Sequence, residues 1–489
     1  MTGYKLFRLM GVLHKDELLE VEKFLRSPFH NTSEDCCKLF RQLCKYHPAM
    51  ESPRLTKETL FAKVFGKSAF DDGKMRKLMT RLTTLLERFL SLREMEKSAE
   101  TKSMMLIRAL EGRSDYGLYK TVVESRISEL EQGLERGKDF FWQIYRLYQS
   151  LHFHPETSKF TVRHDYFQRY VTHLECFFTL ATLQNGIELL IRQRTLKFKE
   201  HIYYHNAAND IASIPEMASE QVLSFFHQIF RLYYSPNEEV DMDRMRESLA
   251  VCFDKMGFDE QRMALKMLIS FAIPRANDGN LEYSRLIFEL YKLGVENDML
   301  TIGENAINTD LFMNIATTSL TIGELEWTKE FMDKNGDRLA EEDRFLALQY
   351  CRANWYYHNG LHTNDINEFD KSLQAINLIP VRASENFDLR ARSLQMRVKY
   401  ETYKRGADIL DNVLALAKNF RRHIAANPTY SEAKKETYTN FIKHYTVLSR
   451  LTNVPDVKSA DVEKAISDLH SDKNCMQRRW LDEKLKELL

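Results

Sequence analysis

The sequence predicts an all-α protein whose larger part is an α-solenoid, and three observations predict it. Apolar residues recur at steps of three and four along most of the 489-residue chain, and no useful stretch alternates with period two. Only 17 Gly and 10 Pro occur, far below the average usage of about 7% and 5%, whereas sheet-rich folds need many special turns. Leu, Glu, Lys, Arg, Met and Ala, the strong helix formers, recur throughout. Helix content above about 60% is therefore expected, against roughly a third in ordinary domains.

Three parts are expected. Residues 1–97 read as an N-terminal helical module. Leu18, Val21, Phe24 and Leu25 form its first apolar stripe, and Ser27-Pro28 stops that helix because the residue before proline avoids αR geometry. Asn31-Thr32-Ser33 offers caps for a second helix carrying Leu39, Phe40 and Leu43. A short helix bears Leu60, Phe61, Val64 and Phe65 and ends at Gly66. Asp71-Asp72 then starts the strongest helix, with Met75, Leu78, Met79, Leu82, Leu86, Phe89 and Leu90 at helical spacing. Phe24, Leu25, Phe40, Phe61, Phe65, Leu82 and Phe89 are the expected core.

The string Glu22-Lys23-Phe24-Leu25-Arg26-Ser27-Pro28-Phe29-His30-Asn31 resembles the start of a family of uncharacterised all-helical proteins from Bacteroidota. They share an E-K-F-L-x-S-P-[FY]-x-N motif and a similar length. The resemblance implies lineage and a helical fold, and carries no activity with it.

Residues 98–300 read as an irregular helical array, with bulky aromatic pairs such as Phe140-Phe141 and Phe225-Phe226 placed to fill helix seams. Residues 301–489 read as repeats followed by C-terminal helices. Leu311 to Ala316 lead to a break at Gly323 and a partner helix with Leu325, Thr328, Phe331 and Met332. Leu346 to Tyr357 lead to Gly360 and a helix around Phe369; Leu389 to Tyr403 lead to Gly406 and a helix through Leu414. Pro380 and Pro428 close the last two units. This order resembles the tetratricopeptide repeat, where a small turn residue separates helices A and B and proline follows B. The glycines lie 37 and 46 residues apart, not at that family's period of about 34, and Thr328 stands where the family usually has Ala. By this resemblance, helix A of each unit lines a concave binding face. The expected partner-contacting positions are Asn314, Asn354, Tyr357 and Arg397.

Catalytic and metal motifs are weak throughout. Gly66-Lys67-Ser68 ends like a phosphate-binding loop, but Phe61 stands where its first glycine belongs, so a helix C-cap is the simpler role for Gly66. His201 and His205 have metalloprotease spacing, but Ile202 replaces the general-base Glu. His358 and His362 share that spacing but straddle Gly360, where the helix is expected to end. Cys37, Cys44 and His47 lack the paired cysteines of a zinc site. No G-x-S-x-G elbow occurs. No cofactor and no metal is expected, and no residue stands out as catalytic.

Charge is balanced, with 70 basic and 70 acidic residues, so it gives no global argument for nucleic acid or membrane. Residues 1–97 carry 19 basic and 13 acidic side chains, a modest excess. Lys77, Arg81 and Arg88 share a face there, and residues 56–90 resemble the second and third helices of a winged helix-turn-helix. The first fifteen residues lack signal-peptide features, and no membrane helix is expected. Seven scattered cysteines fit a reducing cytoplasm. The favoured expectation is a non-enzymatic, cytoplasmic scaffold for a protein or peptide partner. A DNA-binding regulator and an unrecognised enzyme are the alternatives.

Overall fold

The computed structural model describes residues 4–66, 68–157, 164–196, 205–235, 241–302, 306–380, 385–472 and 474–489. It is 79% helical. The only sheet among the described residues pairs two-residue strands, β1 (Thr301–Ile302) and β2 (Ala306–Ile307), antiparallel. The chain divides into two compact units, Met1–Gln132 with Ser150–Arg163, and Gly133–Gln149 with His164–Leu489.

The first unit holds α1 (Lys5–Val12), α2 (Glu17–Arg26), α3 (Glu34–Cys44), α4 (Lys57–Phe65), α5 (Asp72–Lys97), α6 (Ala99–Glu111) and α7 (Tyr116–Gln132). Helix α8 (Lys138–Phe153) has residues in both units. Side chains cap α4 and α5 where the sequence offers them. Thr56 accepts the Thr59 N–H at 3.2 Å and Asp71 accepts that of Lys74 at 2.9 Å. Gly66, with φ of 70°, donates its N–H to Ala62 O and ends α4 as a C-cap. Leu25, Phe40, Phe61, Leu82 and Phe89 are buried in one core; Phe24 and Phe65, also expected there, are only partly buried against it.

The α2–α3 corner gives the Glu22–Asn31 string a packing role. Asn31 accepts the Ser33 N–H at 2.9 Å and donates to Leu25 O at 2.9 Å, tying the end of one helix to the start of the next. Ser33 occupies the N-cap position, but its own side chain makes no cap bond. Phe24 stacks on His30 with centroids 4.3 Å apart, and Glu22 holds Arg26 and Arg41, each at 2.7 Å. Phe29 is the one large apolar residue of the string that projects strongly, at 82% exposure.

The second unit begins with α9 (His164–Leu196), α10 (His205–Ala212), α11 (Pro215–Ala218), α12 (Gln221–Tyr234), α13 (Met242–Cys252), α14 (Phe258–Asn277) and α15 (Leu281–Glu296). Among the described residues one segment, Asp165–Arg194, is long and apolar enough to cross a membrane by length and composition alone, a test that the core helix of a folded domain also passes. Its apolar window is 56% buried, because α9 packs on α10, α12 and α14.

The rest is α16 (Thr309–Thr321), α17 (Leu325–Asn335), α18 (Glu341–Thr363), α19 (Ile366–Asn377), α20 (Glu385–Lys404), α21 (Leu410–Ala426), α22 (Glu432–Thr452), α23 (Ser459–Ser471) and α24 (Arg478–Lys486). Each consecutive pair from α16·α17 to α23·α24 packs together, and α16 also packs on α18, and α18 on α20. Small polar residues close these seams. Ser319 and Thr328 hydroxyls meet at 2.7 Å, Thr328 being fully buried, and Ser372 donates to Ala353 O at 2.7 Å.

Gly360 is not a turn. Helix α18 runs through it to Thr363, and the reversal falls on Asn364, held left-handed at φ of 56°. The turns at Gly323 (φ 91°), Asn364 and Gly406 (φ 76°) are therefore 41 and 42 residues apart, more even than the glycines suggested. Gly360 is required for closeness instead: a Cβ there would lie 3.0 Å from the Phe369 ring and 3.2 Å from Glu368 Cβ. Gly360→Val should cost about 1–3 kcal/mol by overpacking, despite glycine's poor helix propensity. A urea melt followed by tryptophan fluorescence, with Trp355 on the same helix, checks this. An unchanged or raised midpoint would show that α19 yields.

Candidate functional site

The most developed polar arrangement in the second unit lies where α24 crosses α18, α20 and α22. The stripe Trp480, Leu481, Lys484 and Leu485 of α24 is buried. Trp480 donates its indole N–H to Tyr357 Oη on α18 at 2.8 Å. The same indole meets Tyr400 of α20 edge-on at 5.4 Å and lies near-parallel to Tyr445 of α22 at 6.2 Å. Lys484 Nζ sits 2.8 Å from Glu401 Oε1 on α20, although that oxygen has no aligned hydrogen bond. Arg405 takes the other Glu401 oxygen, and Glu487 reaches Lys404 at 2.5 Å.

The chain leading into α24 is tied along α22. Asp472 pairs with Lys443 at 2.9 Å and His444 at 2.7 Å, Asn440 donates to Asn474 O at 2.8 Å, and Met476 N–H donates to Thr437 O at 3.2 Å. The Lys443 and His444 hydrogen bonds lower the Asp472 pKa. Gln477, left-handed at φ of 55°, then starts α24 without a side-chain cap.

Three of the four expected contact residues come together beside this helix. Arg397 (8% exposed) stacks on the Tyr357 ring (0%) with its guanidinium 5.0 Å from the centroid, and bonds weakly to Asn354 Oδ1 (2%) at 3.4 Å. Asn354 donates to Tyr350 O at 2.9 Å. These side chains do not line an open groove as expected: Tyr357 is covered by Trp480, and Asn354 and Arg397 meet between α18 and α20. Asn314 lies elsewhere, on α16, accepting from Arg390 at 3.2 Å.

The electrostatics follow from burial. Burial pushes the Tyr357, Tyr400 and Tyr445 hydroxyls well above their usual range. Burial, reinforced by Arg397 and Arg479, pushes His358 down to about 3. Burial also works against the Lys484 charge, but Glu401 and Glu487 outweigh it and the pKa is raised. At pH 7 the set holds neutral phenols, a neutral imidazole and an ion pair.

No family model, curated protein or solved structure matches this chain.

The weak motifs set aside in the sequence build no site among the described residues. His358 and His362 share α18, because the helix does not stop at Gly360. Cys37 donates to Leu25 O at 3.2 Å, His47 meets Leu13 O at 2.8 Å, and burial raises Cys44 to about 11. Among the described residues, no group of three metal-ligating side chains converges. His201 and the side chain of His205 lie outside the described residues. Asp388 gathers His423, Tyr430 (3.0 Å) and Arg392 (2.8 Å), which clamps α20 to α21 and the loop after it.

Lys77, Arg81 and Arg88 are all exposed on α5. Arg81 bonds to Thr32 Oγ1 at 3.0 Å, and Glu87, between Arg81 and Arg88 in the face, pairs with Lys5. The hairpin that a winged helix needs is missing: α5 continues to Lys97 and α6 follows at Ala99. No sequence-specific DNA shift is expected at nanomolar protein near 150 mM salt, roughly the range where specific binders act. A nanomolar shift abolished by Lys77→Ala with Arg81→Ala would reverse the ranking in favour of a DNA regulator.

Sequence reasoning missed Trp480, Lys484, Glu401, Tyr400 and Tyr445. A signal was present: Trp480, Leu481, Lys484, Leu485 and Leu488 share one helical face, and Trp480 is one of only four tryptophans.

Proposed function

We propose that this chain is a non-enzymatic scaffold that binds a protein or peptide through a tetratricopeptide-like solenoid, α16 to α23. The observation that carries the reading is the packing order. First helices of successive pairs, α16 on α18 and α18 on α20, touch one another while the second helices fill between them. Left-handed turns at a spacing of 41 and 42 residues support a repeating unit. Stacked helix pairs of this kind present an extended face, which such proteins use for binding. The face of α18, α20 and α22 already holds one helical segment, α24. Seven free cysteines, four of them buried, support a reducing cytoplasm as the location. The Glu22–Asn31 string supports membership of the Bacteroidota family that it resembles.

The test is affinity purification of the tagged full chain from its native cell, with reconstitution of any enriched protein from purified components. A stoichiometric complex is expected. Failure to enrich any protein after crosslinking, together with turnover in a metabolite screen, would replace the scaffold with the enzyme alternative.

A further inference from the structure

Helix α24 is nine residues long, too short to be stable alone in water, where about 12–15 residues are needed. Its helical form therefore depends on the face beneath it. The apolar side of α24, Trp480, Leu481 and Leu485, joins the same core as Phe420, Phe441 and Tyr445. Beside it the seam places Tyr357 Oη, the Glu401 carboxylate (1% exposed) and Lys404 against an indole N–H, an ammonium and a carboxylate. Buried ion pairs add little net stability, because desolvation offsets their attraction. The same groups are readily hydrated when uncovered. The Arg397 guanidinium, beside Tyr357, has no hydrogen-bond partner for its buried Nε.

We propose that the face of α18, α20 and α22 under α24 is a helix-binding groove, and that α24 is its built-in competitor. The fitting partner is an amphipathic helical segment of another protein, carrying an indole, leucines one and five positions on, and a lysine four positions on. The indole donates to Tyr357 Oη and packs edge-on to Tyr400 and near-parallel to Tyr445, and the lysine meets Glu401. This rests on the scaffold reading and assigns it a face and a ligand chemistry. A tethered segment acts at an effective concentration on the order of millimolar. If the α24 segment binds at about 10 μM, it then weakens any competitor about 100-fold.

The test uses the full chain and a fluorescein-labelled peptide of residues 474–489. Trp480→Ala in the full chain should undock its own helix and bind the peptide at least tenfold more tightly than the wild type does. Adding Glu401→Gln should weaken that binding, and a peptide with its tryptophan replaced by alanine should not bind. Hydrogen exchange of the wild-type chain is the second measurement, usable even if the variant unfolds. Amides of 478–486 should exchange by local opening, faster than those of α22. Exchange as slow as α22, or equal peptide binding by a folded Trp480→Ala chain and the wild type, overturns the proposal and makes α24 part of the stack. A concentration-dependent dimer that exchanges α24 between copies also overturns it, in favour of a second copy as occupant. Failure of the peptide arm leaves the scaffold reading standing on another face. Intact peptide binding with no protein partner recovered sinks the scaffold reading alone.

Discussion

Phe61→Ala should destabilise the first unit by about 3–5 kcal/mol, the usual cost of emptying a fully buried aromatic site. Phe61 is 2% exposed and packs at 4.6 Å from Phe65 and 5.4 Å from Phe70, ring to ring. It sits on α4, and α4 packs on both α3 and α5, so no single helix shift refills the space. The probe matters. Trp142, Trp327, Trp355 and Trp480 are the chain's four tryptophans and all lie in the second unit. Tryptophan fluorescence therefore follows that unit, and the first must be followed by hydrogen exchange at α3 to α5. Protection there should fall by the stated free energy. A loss below about 1 kcal/mol would mean that the neighbouring helices close on the site.

A second large effect is an acid-sensitive second unit. His358 has a folded pKa of about 3 against 6.5 when free, through burial first and then the Arg397 and Arg479 charges. A depressed histidine pKa means that the unfolded chain takes up the proton first as pH falls. The stability tied to neutral His358 is thus complete above about 6.5 and is lost progressively towards about 3. Each pKa unit is worth about 1.4 kcal/mol, and His358 is only partly buried, so lowering the pH to about 4.5 should remove on the order of 1–3 kcal/mol. His227, lowered by burial and then by Arg231, adds a share of the same sign. The lowered carboxyls of Glu188, Asp408, Asp472 and Glu487, with ordinary values of 3.8 to 4.5, add a loss of the same sign that sets in below about 4.5. Urea melts read by tryptophan fluorescence at about pH 7 and 4.5 test this, with His358→Gln as the comparison. The variant should lose the His358 part of the slope. An identical slope in both chains would assign the acid sensitivity to other groups.

The helices of the N-terminal module were legible because their signals are local. Thr56, Asp71 and Gly66 act within one turn of themselves, and period-of-four stripes mark their buried faces. Gly360 misled for a physical reason. Glycine weakens a helix by about 1 kcal/mol relative to alanine, so alone it reads as a break. Its purpose appears only when Phe369, nine residues on, is brought against it. Asn364, the true turn, carries a weaker signal, since asparagine adopts the left-handed region less freely than glycine. The face that receives α24 lay further out of reach. Trp480 and Tyr357 are 123 residues apart, and helical periodicity says which face is buried, not which helix buries it. Asn354, Tyr357 and Arg397 were picked out for side-chain chemistry and do come together, but as a covered cluster.

The left-handed turns at 323, 364 and 406 also bear on how such a chain changes length over generations. An unequal crossover that joins one turn to the next inserts or removes about 41 or 42 residues, a whole helix pair. Each junction then falls on a residue already suited to reversing the backbone, and no helix is cut. Smaller insertions inside α18 or α20 would instead rotate every later side chain on that helix by about 100° per residue and scramble the seams.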